Sequence, residues 1–252
     1  MKLVRIIHDG GVRYGMVEDE TVTLISGDPF SAWRANGEVP LGDAKLVCPV
    51  QPSKVVCVGL NYRTHIAEMG NTLHTDPVIF LKPPTTVIGP AEPIVIPKRA
   101  GRVDYEAELA IVMGKTAHHV AVEDVASHVL GYTCGNDVTA RRLQHIDGQW
   151  TRAKSFDTFC PIGPWVVDVD PGKLMLQCLV NGEVRQQAPT SDMLFGPHEL
   201  VSFVSDVMTL LPGDVILTGT PGGIGELHEG DSVEVRIEGI GSLVNPVVAE
   251  AE

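Results

Sequence analysis

The chain has 252 residues, a formal net charge of −13 at pH 7, and 44% hydrophobic residues. That charge argues against nucleic acids and anionic membrane surfaces as partners, since both recruit basic patches. No apolar run approaches the about 20 residues that a bilayer-spanning helix needs. Met1-Lys2-Leu3-Val4-Arg5 opens into a strand pattern rather than a secretory leader, so a cytoplasmic location is expected. The 26 glycines and 18 prolines supply many turn signals, which favours a β-rich, mixed α/β fold over a helical bundle. Cys48, Cys57, Cys134, Cys160 and Cys178 are scattered, without a C-x-x-C, and predict buried free thiols.

In chain order, residues 2–8, 11–17 and 21–26 read as three short strands separated by Gly/Asp/Glu turns. Residues 27–49 are polar and Pro-containing and read as a linker with one helical turn. The division is therefore expected at a small N-terminal β domain with its linker, 1–47, and a main domain, 48–252. Lys54-Val55-Val56-Cys57-Val58-Gly59-Leu60 is a buried-strand pattern. The period then becomes helical, with Tyr62, Ile66 and Met69 on one face, Asn61 as cap and Gly70 as terminator. His65 and Glu68, at i and i+3, are close enough to hydrogen-bond; the plainer alternative is an ordinary surface pair.

Val78-Ile79-Phe80-Leu81 predicts another buried strand, and residues 121–128 a short helix. Residues 130–142 run from strand into loop and helix, which puts Asp137 at a strand end. Asn181-Gly182 predicts a tight hairpin turn between 175–180 and 183–187. A helix is expected over 197–210, with Leu200, Phe203, Val204 and Val207 as its apolar stripe. Strands close the chain at 215–217, 232–237 and 241–244.

One stretch stands out. In Asp104-Tyr105-Glu106-Ala107-Glu108, strand alternation sends the three carboxylates to one face, and Leu109–Met113 continues as an apolar strand. Like charges packed that closely cost stability unless a cation neutralises them. All-oxygen ligation suits a hard divalent ion. The alternative is an edge strand with its acidic face in water.

Six segments in order resemble the fumarylacetoacetate hydrolase superfamily. They are Gly59-Leu60-Asn61-Tyr62-x-x-His65-x-x-Glu68, Phe80-Leu81-Lys82-Pro83, Asp104-Tyr105-Glu106-x-Glu108, Gly135-Asn136-Asp137-Val138-Thr139-Ala140-Arg141, Ala153-Lys154-Ser155-Phe156-Asp157 and Leu217-Thr218-Gly219-Thr220-Pro221. The resemblance implies a β-roll of mixed sheets with short helices, commonly homodimeric, with a small N-terminal domain in many bacterial members. It implies that Glu106, Glu108 and Asp137 bind Mg²⁺ or Mn²⁺, and that Lys154 stands beside metal and substrate. It further implies that His65 and Glu68 form a catalytic dyad on a lid, and that Lys82, Gln144 and Thr220 line the substrate pocket. Asp104 is not a ligand in the family, and Arg141 reads as structural.

The implied substrate is a small 2-oxo acid, dicarboxylate-like, reacting through a metal-stabilised enolate. The leading expectation is C–C bond cleavage, by acylpyruvate hydrolysis or oxaloacetate decarboxylation. The alternative is a 2-hydroxyhepta-2,4-diene-1,7-dioate isomerase or tautomerase, and a third class is a non-catalytic, metal-stabilised binding protein. The helix ending at Gly70, followed by Asn71-Thr72-Leu73-His74, is the expected lid. Arg63, Arg142 and Arg152 are equal candidates for a distal substrate carboxylate. The Gly-rich run 219–225 lacks phosphate-loop and dinucleotide spacing, and no zinc motif is present.

Overall fold

In a computed structural model describing residues 2–70 and 74–251, the strand Ala107–Met113 is buried at every position. Leu109, Ile111 and Met113 enter one apolar core while Ala110 and Val112 enter a second, as strand alternation requires. The strand pairs antiparallel with Val129–Asn136 on one side and with Val215–Leu217 on the other. Val215–Leu217 lies parallel to Val55–Gly59, which pairs antiparallel with the edge strand Val78–Lys82. All belong to a 12-stranded mixed sheet. A five-stranded sheet and a three-stranded one, Thr139–Ala140, Val103–Tyr105 and Gly225–Glu226, complete the β-rich architecture.

The N-terminal meander Lys2–His8, Gly11–Glu18, Thr21–Gly27 forms as expected. The supposed linker after it differs from expectation. It contains a fourth strand, Trp33–Pro40, a 3₁₀ turn at Leu41–Asp43, and a short strand, Lys45–Val47, that returns to pair with the first. Val39 is the one buried residue of Trp33–Pro40, so backbone pairing holds this edge strand and no apolar alternation announces it. The first strand also pairs with Cys160–Val167, so the meander is one end of the large sheet.

Asn181 and Gly182 both have positive φ, 53° and 81°, the two-residue turn that matches strand twist. The helix over Pro197–Val207 ends three residues early, and Leu200, Val201, Val204 and Ser205 form its buried face while Val207 is 56% exposed. Residues Val122–Ser127 coil as 3₁₀ rather than α. The helix Arg63–Glu68 has no side-chain cap. Asn61 instead accepts from Phe195 N–H and donates to the carbonyls of Phe195 and Thr218, tying the strand end to two distant segments. Gly70 ends the helix with φ of 66°. All five cysteines are buried and free, and among the described residues no helix is long and apolar enough to cross a membrane.

Asp214 staples the edge of the main unit. Its buried carboxylate accepts from Ser53 N–H and Oγ–H, Lys54 N–H, Lys54 Nζ and Leu211 N–H. Burial by itself would raise this carboxyl, but Lys54, Ser53 and the Leu211 amide outweigh it and hold its pKa below the ordinary 3.8. A depressed carboxyl contributes stability above its unfolded pKa and loses it as pH falls through the folded value. Asp214→Asn should therefore cost about 2–4 kcal/mol at pH 7, and the gap from wild type should narrow as urea unfolding is repeated below pH 4. A gap that stays constant into acid would contradict this account.

Candidate metal centre and active site

Glu106 occupies the break between Val103–Tyr105 and Ala107–Met113. Its N–H donates to Asn136 Oδ1, and Asp137 N–H donates back to the Glu106 carbonyl, each at 2.9 Å. Asp137 follows directly on the strand Val129–Asn136, so the two backbones are zipped together there. Glu108 stands two residues further along, on the same strand face as Ala110 and Val112. The three carboxylates are buried, with donor oxygens within 4.8 Å of one another.

Cations surround them unevenly. Lys154 Nζ donates to Glu106 Oε2 at 2.8 Å and to Asp137 Oδ2 at 2.6 Å. Arg141 donates to Asp104 Oδ2 at 2.9 Å and also pairs with Glu106. Lys82 pairs with the other oxygen of Asp137. Asp104 is thus neutralised by Arg102 and Arg141 and is not part of the three-carboxylate cluster. Among the described residues Glu108 has no cation at ion-pair distance; it accepts only the Gly219 N–H, at 2.6 Å.

The electrostatics follow that count. Burial works to raise Glu106, but Lys154 and Arg141 outweigh it and hold its carboxyl below the ordinary range. Glu108 is pushed well above that range by burial, then by Asp137 and Glu106. Burial opposes the Lys154 charge, yet Asp137 and Glu106 dominate and keep its ammonium above its ordinary value. A buried carboxylate with no cationic partner among the described residues, facing two others, is a donor set that fits a hard divalent ion.

The cluster forms one wall of a cavity of about 260 Å³. His65, Gln144 and Thr220 line it, together with Arg141, His145, Met69 and an apolar wall. His65 is buried, with Nδ1 3.3 Å from Glu68 Oε2, and Glu68 is in turn held by the Gly223 N–H. Lys82, expected to line the pocket, lies beneath its floor instead. It is fully buried behind Asp137 and donates to the carbonyls of Val138 and Phe159. Arg141, read as structural, reaches the cavity as well. None of Arg63, Arg142 and Arg152 lines the cavity, and Arg152 is tied to Asp147. Asn71, Thr72 and Leu73, expected as part of a lid, lie outside the described residues.

Two further residues hold the site. Asn136 adjoins Asp137 in the Gly135–Arg141 motif, which is a local signal for it, whereas no sequence pattern points to Gln186. Its Oε1 accepts from Ala107 N–H, which orients the amide so that Nε2 donates to Thr220 Oγ1 and the Pro221 carbonyl. Thr220 Oγ1–H then donates to the Ala107 carbonyl.

The uncompensated Glu108 generates a test. At neutral pH Glu108→Gln removes a carboxylate whose charge opposes folding, since a raised carboxyl contributes stability only below its folded pKa. The metal-free variant should be at least as stable as wild type by thermal denaturation. Saturating Mg²⁺ or Mn²⁺ should stabilise wild type by about 2.7 kcal/mol at one hundred times Kd and leave the variant unmoved. A metal-induced rise in Tm that survives in Glu108→Gln would refute the assignment.

The fumarylacetoacetate hydrolase C-terminal family model matches residues 54–248, and a model named Rv2993c-like, N-terminal, matches residues 1–49. The crystal structure of 2-hydroxyhepta-2,4-diene-1,7-dioate isomerase from Mycobacterium marinum superposes with a TM-score of 0.94 at 48% identity, over 100% of both chains. Oxaloacetate tautomerase Fahd2a, mitochondrial, of Rattus norvegicus is 41% identical over 83% of this chain and 71% of its own. Maleylpyruvate hydrolase from Sphingobium sp. SYK-6, solved with manganese and pyruvate, gives a TM-score of 0.83 at 33% identity over 100% of both chains. With a buried carboxylate cluster at the motif positions and the family model matching residues 54–248, most of the chain, this chain belongs to the fumarylacetoacetate hydrolase family.

Proposed function

We propose that this chain is a divalent-metal-dependent enzyme acting on small 2-oxo acids through their enolate, with His65 as the proton carrier. The observation that carries the reading is the cavity itself. A buried carboxylate cluster with a locked ammonium forms one wall, and a buried imidazole backed by a carboxylate also lines it. Mg²⁺ or Mn²⁺ held by Glu106, Glu108 and Asp137 would supply positive charge to offset the negative charge that develops on a 2-oxo oxygen.

The side chains do the rest. Lys154 has two of its three N–H groups committed to Glu106 and Asp137, which leaves one to donate to substrate. Its ammonium adds charge stabilisation at the same oxygen. Imidazole exchanges protons near neutral pH, and Glu68 orients the His65 ring through Nδ1, which leaves Nε2 for substrate or water. Gly223 N–H fixes Glu68, so the dyad depends on the glycine-rich 219–225 turn. Gln144, held by Arg141 at 2.5 Å, presents an amide to the cavity.

C–C bond cleavage, by acylpyruvate hydrolysis or oxaloacetate decarboxylation, is the reaction this machinery serves in the leading reading. In hydrolysis His65 deprotonates the attacking water; in decarboxylation no water attacks. Isomerisation or tautomerisation is the second reading, favoured by the names of the 48% and 41% identical relatives. There His65 moves a proton between carbon and oxygen of one substrate. A homodimer belongs to the same proposal. The edge strand Val78–Lys82 leaves Leu81 46% exposed beside the cavity wall, and light scattering should return twice 27.1 kDa.

His65→Ala separates the chemistries. It should lower kcat/KM for acylpyruvate hydrolysis by about 10²–10⁴, and oxaloacetate decarboxylation by less. Glu68→Gln should move both the same way but more weakly. Equal loss on both substrates would remove the water-activating role. Turnover of enol to keto oxaloacetate by wild type, without cleavage of either substrate, would establish the second reading in place of the first.

A further inference from the structure

The side of the cavity away from the carboxylates is bounded by an indole whose place depends on a missing side chain. Trp150 precedes the short helix Thr151–Lys154 and lines the cavity with Phe80, Gly59, Leu60 and Met69. Its ring packs edge-on against Phe80, with centroids 5.2 Å apart and planes at 78°. Phe80 in turn lies 5.1 Å from Lys154 Nζ. The phenyl ring therefore touches both the ammonium and the indole.

Gly59 sets where the indole sits. A Cβ on Gly59 would fall 2.5 Å from Cζ3 and 2.8 Å from Cη2 of Trp150, far inside contact distance. Gly59 does not have a positive φ, so its backbone suits any residue. Glycine is needed there for the close approach of the ring, not for the turn of the chain. The ring is packed between the Gly59 backbone and Phe80, which fixes it at this side of the cavity.

From this geometry we infer that Trp150 is a specificity-determining residue that limits the enzyme to 2-oxo acids with a small distal group, an inference that rests on the 2-oxo acid reading above. The 2-oxo acid head engages the carboxylate end, and whatever extends from it runs along Phe80 toward the indole. A short acyl or carboxylate group is accommodated in a cavity of about 260 Å³, whereas an aryl group meets the ring. No catalytic step is assigned to Trp150, so its effect is on which acids enter.

The test is calorimetric binding to the Mn²⁺-loaded protein, with oxalate as head-group probe and phenylpyruvate as the probe with a bulky distal group. In Trp150→Ala the ratio of phenylpyruvate to oxalate affinity should rise by about tenfold or more. Trp150→Phe, which keeps an aromatic ring on Phe80, should give a smaller rise and guards against a folding defect in the alanine variant. Gly59→Ala should change the ratio when Trp150 is present and leave it unchanged in the Trp150→Ala background, the coupling expected of residues in contact. A ratio that is the same in wild type and both Trp150 variants, with oxalate still bound, overturns the inference alone. Wild type that binds neither probe overturns the 2-oxo acid reading and this inference with it.

Discussion

Glu108 is the constraint on which the rest of the site depends. It is a carboxylate 1% exposed in an apolar sheet, with one backbone N–H for company and two further carboxylates facing it. Such a group is tolerated only where something else compensates its charge. Lys154, Arg141 and Lys82 compensate Glu106, Asp137 and Asp104, and each is buried where it stands. The arrangement neutralises every carboxylate of the cluster but one, which leaves a net attraction for a cation at the cavity wall.

The fold supplies rigidity to that wall. Glu106 and Asp137 are locked together by a main-chain hydrogen bond, and the Asn136 side chain holds the Glu106 N–H beside it. Glu108 stands on a strand paired along both edges. Lys82 acts from below as a buried strut whose ammonium also satisfies the Val138 and Phe159 carbonyls. A lysine in that position serves the charge of the site and is not among the residues that line its cavity.

The other wall is assembled differently. Asn61, Thr64, Glu68 and the segment 218–223 are joined by hydrogen bonds that span more than 150 residues of sequence. The Gln186 amide orients Thr220 from a separate hairpin. His65 therefore sits on a short helix that the glycine-rich turn clamps from outside, whereas the carboxylates sit on strands in the sheet interior. Precision at one wall comes from regular pairing, and at the other from a few side-chain clamps.

Much was legible in the chain. Period-two alternation put Asp104, Glu106 and Glu108 on one face, Asn181-Gly182 marked its hairpin, and the ordered motifs carried the family and its β-rich fold. These are local signals, because a side chain's direction along a strand and a turn's φ values depend on near neighbours. The exposed strand Trp33–Pro40 lacked alternation and was read as linker, and the stripe on Pro197–Val207 turned by a residue because its buried face is chosen by what it packs against. Whether Lys82 faces the substrate or props Asp137, which polar group Asn61 satisfies, and where Trp150 rests against Gly59 were decided only by tertiary structure. Those contacts join residues 55 to 157 positions apart, and the free energy of a buried charge or a close approach depends on the partner that packing brings, which no local pattern encodes.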